Sequence, residues 1–264
     1  MLLADISYVT WVHERSGKSF YPRKGTVGSS ALLSPTIDLK QIQARAERTI
    51  EKGVQIDLST ALCKRYLRRH ANQKTNVVVL YVDIDGSTRL TQSVPSTQLA
   101  LILQLFSQEM SLLVSNYGGY VLKYVGDAVI ALFPAEHDVE QACKNALECG
   151  RTMLEAISGG INPALKSHDL PELGVKVSMD YGEVLVVLYG KSIENSHIDI
   201  IGSNISMAAK MLAFAPSGSV MVGMKAYDNL GDTGKKEMQE IHDLDWSYTD
   251  EKTSGRYRLY YHSS

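Results

Sequence analysis

The sequence predicts an α+β domain with a ferredoxin-like βαββαβ core and a C-terminal strand–helix–strand extension. Three observations carry that expectation. Short apolar, β-branched runs alternate with long stretches of helical periodicity, strands pair across glycine-bearing turns, and the order strand–helix–hairpin–helix–strand occurs once, with no internal repeat. With 264 residues, 44% of them hydrophobic and 21% charged, the chain can bury a sizeable core.

Residues 6–12 (ISYVTWV) alternate weakly, as a strand does, and 25–35 read as loop. From Thr36 onward, Leu39, Ile42, Ala46 and Ile50 recur at spacings of 3, 4 and 4, a narrow helical stripe. A second short helix is expected from Asp57 or Ser59, running through Leu62, Tyr66 and Leu67 to a basic end that suits the negative pole of a helix. Residues 1–75 are read as a strand and helical extension, either a dimerisation or regulatory segment or a packing extension without regulation, and residues 76–264 as the functional domain with its C-terminal β-hairpin.

Within that domain, 77–82 (VVVLYV) is too short and too β-branched for most helices and reads as a buried strand. A long helix opens at Pro95-Ser96, turns Leu99, Ile102, Leu103, Phe106, Met110 and Leu113 inward, and is stopped by Gly118-Gly119. Strands at 120–125 and 128–133 meet at a tight Gly126-Asp127 turn. A second long helix over 139–157 is expected to end at Gly159-Gly160, and a further hairpin to join 175–179 and 184–188 around Tyr181-Gly182. A strand at 198–201, a helix over 203–214 and a strand at 219–222 form the extension. The tail is read as a hairpin of 246–248 with 257–261.

The net charge of -2 and pI near 6.4 argue against a nucleic-acid binder that works by phosphate neutralisation. No uninterrupted apolar run approaches the roughly 20 residues that span a bilayer, and Asp5 interrupts the N-terminal apolar start, so neither a membrane segment nor a signal peptide is expected. Cys63, Cys143 and Cys149 form no CxxC pair and read as reduced thiols of a cytoplasmic protein. His168 and His197 stand near loops and read as structural or solvated.

Two acids stand out by position. Asp83 ends the first buried strand inside Asp83-Ile84-Asp85-Gly86-Ser87-Thr88, and Asp127 sits at the tip of the first hairpin. Should the strand lie beside the hairpin, both carboxylates reach one edge of the sheet. Such a pair suits Mg²⁺, a hard cation that takes a few carboxylates and shares its other positions with phosphate oxygens. Two ions can stabilise the attacking and leaving oxygens of an in-line displacement at phosphorus. Gly86 lets the backbone approach an anion, and the amides from Asp85 to Thr88 precede helical structure, where phosphates are held.

At these residues the sequence resembles a known family. LYVDIDGST at 80–88 looks like the first metal motif of class III adenylate and guanylate cyclases, and KYVGDAVIALF at 123–133 is similar to their second. DYGEVLVVLYG at 180–190 resembles the family's glycine–glutamate hairpin, and IDIIGSNISMAAKML at 198–212 the segment with base-selecting and transition-state residues. The motifs occur in family order across about 76–225.

The resemblance implies the class III cyclase fold and an adenylate cyclase that converts ATP to cyclic AMP and pyrophosphate. Asp83, Asp127 and the Ile84 carbonyl would hold two Mg²⁺ or Mn²⁺ ions per site, with Gly86, Ser87 and Thr88 at the phosphates. Lys123 and Asp199 match the pair that reads adenine: lysine donates to N1, aspartate accepts from the exocyclic amine, and guanine presents the opposite pattern. Where the family has asparagine and arginine, this chain has Ser206 and Lys210, which keep a hydroxyl and a charge but lose the planar guanidinium fork. A weak or inactive nucleotide-binding regulatory domain of the same fold is the alternative. The resemblance also implies a head-to-tail homodimer, the carboxylates coming from one chain and Lys123, Asp199 and Lys210 from the other. The turn sequence Val125-Gly126-Asp127-Ala128-Val129 lacks the acid-rich GG[DE]EF of diguanylate cyclases, and no GxxxxGK[ST] run of a Walker-type NTPase exists.

Overall fold

Asp38 opens the first helix by accepting from the amides of Lys40 and Gln41 at 3.0 and 3.3 Å, and Gly53 closes it, giving α1 (Leu39–Lys52). The computed structural model describes residues 37–56, 58–242, 245–250 and 254–263, so the expected strand at 6–12 and loop at 25–35 lie outside the described residues. A short helix, α2 (Ala61–Arg68), follows with its basic end as expected. Next come β1 (Lys74–Asp85), α3 (Ser87–Ser93), α4 (Ser96–Asn116), β2 (Tyr120–Val125), β3 (Ala128–Pro134) and α5 (Val139–Ala156). The chain continues through α6 (Asn162–Lys166), β4 (Gly174–Tyr189), β5 (His197–Ile201), α7 (Ser203–Leu212) and β6 (Ser219–Gly223). It closes with α8 (Met224–Asp228), α9 (Asp232–Lys236), β7 (Gln239–Glu240) and β8 (Leu259–Ser263).

The sheet order is β2-β3-β1-β4-β6-β8-β7, with β5 paired to the far end of β4. Its first four strands have the arrangement that a βαββαβ core requires, and β6 adds in parallel to β4. Alternation along β1 divides the core. Val78, Leu80, Val82 and Ile84 pack on one face with α1, α4 and α5, while Val77 and Val79 pack on the other with Cys63, Tyr66 and Leu67 of α2. Each of the two helices before residue 75 thus covers one face of the sheet. All three cysteines are free and buried, and burial pushes the Cys63 and Cys143 thiols up to about 12.

Three expectations are corrected. The helix over 139–157 does not stop at Gly159-Gly160: a π-turn at Ile157–Ile161 carries it into α6. A β-carbon on either glycine would stand 2.8 Å from Leu39 or 2.7 Å from Ile42, so the glycines serve close packing against α1 rather than termination. The hairpin expected around Tyr181-Gly182 is absent. β4 runs straight through for 16 residues, because β1 pairs with it from Lys74↔Leu185 to Asp85↔Gly174 and places Gly182 opposite Val77. The turn comes later, where Leu185 to Tyr189 fold onto β5. Finally, the tail hairpin exists only near its tip, where the Tyr257 amide donates to the Tyr248 carbonyl at 2.8 Å and Thr249 bridges Arg256. Beyond it the chain joins the main sheet as β8, where it covers the edge that β6 otherwise leaves open.

The sequence has no uninterrupted apolar run of membrane-spanning length, yet α4 is long and apolar enough to cross a membrane by length and composition. In the fold its middle carries Gln108 and Glu109, both buried. Arg45 of α1 forks onto Glu109, with Nη2 2.6 Å from Oε2, and Gln108 donates to Thr49 Oγ1 at 3.0 Å. α1 therefore supplies the countercharge to a carboxylate with no solvent exposure.

Arg45→Met should destabilise the protein by about 3 kcal/mol, because it strands the buried Glu109 charge. Urea denaturation followed by circular dichroism reads this; an unchanged midpoint contradicts the role given to the pair.

Candidate active site

The pairing of β1 with β3 sets the position of the two acids. Asp83 stands opposite Ala128, and Asp127 is the residue just before Ala128, in the two-residue turn after β2. Gly126, at φ 62, adopts the left-handed conformation that this short turn needs. By alternation Asp83 shares a face with Val77, Val79 and Tyr81, the side away from α4 and α5. Burial first, and then the adjacent Asp127 carboxylate, push the Asp83 pKa up to about 6, while the Ile84 amide and Lys176 pull the other way. Asp127 Oδ2 is buried without a hydrogen-bond partner.

The second expected pair also forms. Lys123 Nζ donates to Asp199 Oδ2 at 2.7 Å, joining β2 to β5. A register shift between Val121 and Lys123 sets this up. Tyr120 and Val121 alternate normally across the sheet, and the extra residue turns Lys123 onto the face of its partner Ile130 and that residue's neighbour Tyr81. Asp199 lies close enough to Tyr81 and Cys63 for its charge to raise both of their pKa values, after burial.

The remaining expected residues sit on the Gly86 turn, in the first turn of α3 and on α7. Gly86 takes φ 70 between β1 and α3, so Ser87 and Thr88 form the first turn of that helix. Asp85 binds Lys176 Nζ at 2.8 Å, and this bond holds its carboxyl below the usual range. Ser206 and Lys210 lie on the exposed side of α7, with the Lys210 ammonium 4.0 Å from the centre of the Tyr248 ring. His168 caps the end of α6 through Ala164 O at 3.0 Å, and His197, exposed, lies against Tyr189. Reading by motif missed Tyr81, which alternation from Asp83 would have found, and Arg89, whose guanidinium lies over Gly86. It also missed Tyr248, for which local sequence gives no signal.

The carboxylate pair fits a hard divalent cation. An orphaned buried carboxylate oxygen and a neighbouring carboxyl with a raised pKa are what a cation between them would satisfy and reverse. Among the described residues no group of three or more His, Cys, Asp or Glu side chains converges.

Comparison with known proteins shows the family and the fold. The family described as adenylate and guanylate cyclase catalytic domain matches residues 69–252. A cytidylate cyclase from Escherichia coli is 30% identical over 226 residues, which cover 76% of this chain and 49% of that protein, so the chain spans about half of its length. Among solved structures, the adenylyl cyclase CyaB from P. aeruginosa superposes with a TM-score of 0.60 at 19% identity, covering 72% of this chain and 94% of that one. The guanylyl cyclase Cya2 superposes at 0.59 and 15% identity, covering 72% and 92%. These structures share the fold.

A carboxyl whose folded pKa lies above its ordinary value of 3.8 opposes folding once it ionises, so the cost of Asp83 is absent below that pH and complete above about 6. In chelator, Asp127→Asn should raise the melting temperature at pH 7.5 by about 2–4 °C, the shift that ~1 kcal/mol gives in a domain of this size. Wild type and variant should converge near pH 4. A variant that melts lower at pH 7.5 contradicts the repulsion.

Proposed function

Because the chain belongs to the adenylate and guanylate cyclase catalytic-domain family, we propose that it closes a nucleoside triphosphate on itself. The ribose 3′-oxygen bonds to the α-phosphorus, the bond from that phosphorus to the bridging oxygen breaks, and pyrophosphate leaves with a 3′,5′-cyclic nucleotide as the other product. The observation that carries this reading is the convergence of Asp83 and Asp127 with one carboxylate oxygen unsatisfied. Asp83, Asp127 and the Ile84 carbonyl would hold Mg²⁺ or Mn²⁺, two per site. Such a cation, when bound, supplies Lewis-acid polarisation of phosphate oxygens and acidifies a hydroxyl it touches. Ser87 and Thr88, in the first turn of α3 after Gly86, bind the phosphate chain. Ser206 orients the ribose, and the Lys210 ammonium neutralises charge on the transferred phosphoryl group. The side chains named here include no dedicated base for the 3′-hydroxyl proton.

Lys123 and Asp199 choose the base. A donor beside an acceptor fits an edge that presents a bare ring nitrogen next to an exocyclic amine. Adenine has that edge at N1 and N6, so ATP is the first reading. Guanine and uracil present an oxygen acceptor beside a ring N–H donor, and leave the Lys123–Asp199 pair mismatched. Cytosine carries the adenine pattern at N3 and N4, so the pair alone does not separate ATP from CTP. The 30% identity to a cytidylate cyclase favours CTP as the second reading.

The head-to-tail homodimer belongs to the same proposal. It is supported by exposed apolar side chains: Leu185 and Ile201, directly opposite each other on β4 and β5, are 40% and 56% exposed, and Val125, beside the Asp127 turn, is 52% exposed.

Incubation with ATP, CTP, GTP or UTP and Mn²⁺, with products separated by mass spectrometry, tests the chemistry. Cyclic AMP or cyclic CMP should exceed cyclic GMP and cyclic UMP by about 5- to 150-fold, the range that a buried mismatch of ~1–3 kcal/mol gives. Predominant cyclic GMP or cyclic UMP contradicts the base pairing, and tight nucleotide binding without product over hours replaces the enzyme with a binding module. For the shared site, equimolar Asp127→Ala and Lys123→Ala proteins, each inactive alone, should regain activity on mixing through one intact site per heterodimer. Confirmed heterodimers without recovery contradict it.

A further inference from the structure

Lys210 stands in the last turn of α7, and its ammonium lies 4.0 Å from the centre of the Tyr248 ring, within range of a cation–π contact. The ring comes from the C-terminal segment, 38 positions further along the chain, and that segment is anchored to the core. The Tyr257 amide donates to the Tyr248 carbonyl at 2.8 Å. Trp246 lies 4.6 Å from the Tyr248 ring, is 4% exposed, donates its indole N–H to the Tyr257 carbonyl at 2.9 Å, and meets Phe214 edge-on. Tyr257 in turn donates its hydroxyl to Asp180 Oδ2 of β4 at 2.7 Å. The face that Lys210 meets is thus tied to the sheet through Tyr257, Trp246 and Asp180.

This arrangement answers a need created by the lysine itself. An arginine at this place would bring a planar, pre-organised fork, whereas lysine ends in a point charge on a four-carbon stem that samples many rotamers when exposed. We propose that Tyr248 is a positioning residue for Lys210: its ring face confines the ammonium at the end of α7 until phosphate oxygens take it over. A ring face attracts a cation less strongly than a charge-assisted hydrogen bond to phosphate does, so it confines the ammonium without retaining it. The inference rests on Lys210 as the group that neutralises the transferred phosphoryl.

The test uses the full chain with its preferred triphosphate and Mn²⁺. Tyr248→Leu should lower kcat about tenfold with KM nearly unchanged, in line with the cost of misplacing a catalytic group, whereas Tyr248→Phe keeps the ring and the rate. Lysines dimethylated with ¹³C-formaldehyde give a second readout. The Lys210 methyl signal, identified by its loss in Lys210→Arg, should be shifted upfield by the ring in wild type and Tyr248→Phe, and should return to the position of free lysines in Tyr248→Leu. An unshifted Lys210 signal in the wild-type protein overturns the contact even if Tyr248→Leu fails to fold. A kcat for Tyr248→Leu equal to or above wild type overturns the positioning role. Lys210→Ala separates the two layers: wild-type kcat there removes the role of Lys210 itself, while an inactive Lys210→Ala beside a fully active Tyr248→Leu removes only that of Tyr248.

Discussion

Two carboxylates are held against each other by backbone pairing that neither can escape. Asp83 is fixed opposite Ala128 by the β1–β3 ladder, and Asp127 is fixed next to Ala128 by a two-residue turn with glycine at its first position. Partial burial removes much of the water that would screen the pair, which is why the Asp83 carboxyl is pushed up to about 6 and an Asp127 oxygen is left without a partner. Like charges confined in this way are unfavourable alone and favourable around a cation. The rest of the site is organised around that condition: the Gly86 turn follows the same strand, and Tyr81, two residues before Asp83, shares its face and leads across the sheet to Lys123.

The Lys123–Asp199 pair, proposed above to choose the base, obeys a different logic. Lys123 and Asp199 satisfy each other at 2.7 Å, while both remain partly exposed. An ion pair in that setting is worth about 0–1 kcal/mol. A base edge offering an acceptor to the lysine and a donor to the aspartate can therefore replace it, whereas an edge with the opposite polarity meets two mismatches at once. The register shift before Lys123 is central here, since a strand of unbroken alternation would turn this ammonium to the face covered by α1, α4 and α5.

Much of this was legible in the sequence because the signals were local and periodic. The apolar run of β1, the stripe of α4 and the Gly126-Asp127 turn each specify their own structure, and the two pairs singled out by motif, Asp83 with Asp127 and Lys123 with Asp199, survive folding as contacts. What misled were glycines whose meaning depends on distant partners. Gly182 reads as a turn until β1 is laid along it, and Gly159 and Gly160 read as a helix stop until α1 packs against them. The same limit applies to Tyr248. Its proximity to Lys210 depends on how the C-terminal segment is anchored on Asp180, Trp246 and Tyr257, a tertiary fact with no counterpart in local pattern.

The central claim, that Asp83 and Asp127 form a divalent-cation site completed by a nucleotide, is tested most directly by Mn²⁺ binding followed by electron paramagnetic resonance. The nucleotide should be 3′-deoxy-ATP or 3′-deoxy-CTP, which lacks the attacking hydroxyl. The account predicts that wild-type protein with one of these analogues removes free Mn²⁺ signal in proportion to its sites, and that the double variant Asp83→Asn/Asp127→Asn leaves the signal where nucleotide alone puts it. Equal Mn²⁺ uptake by the two proteins would contradict it.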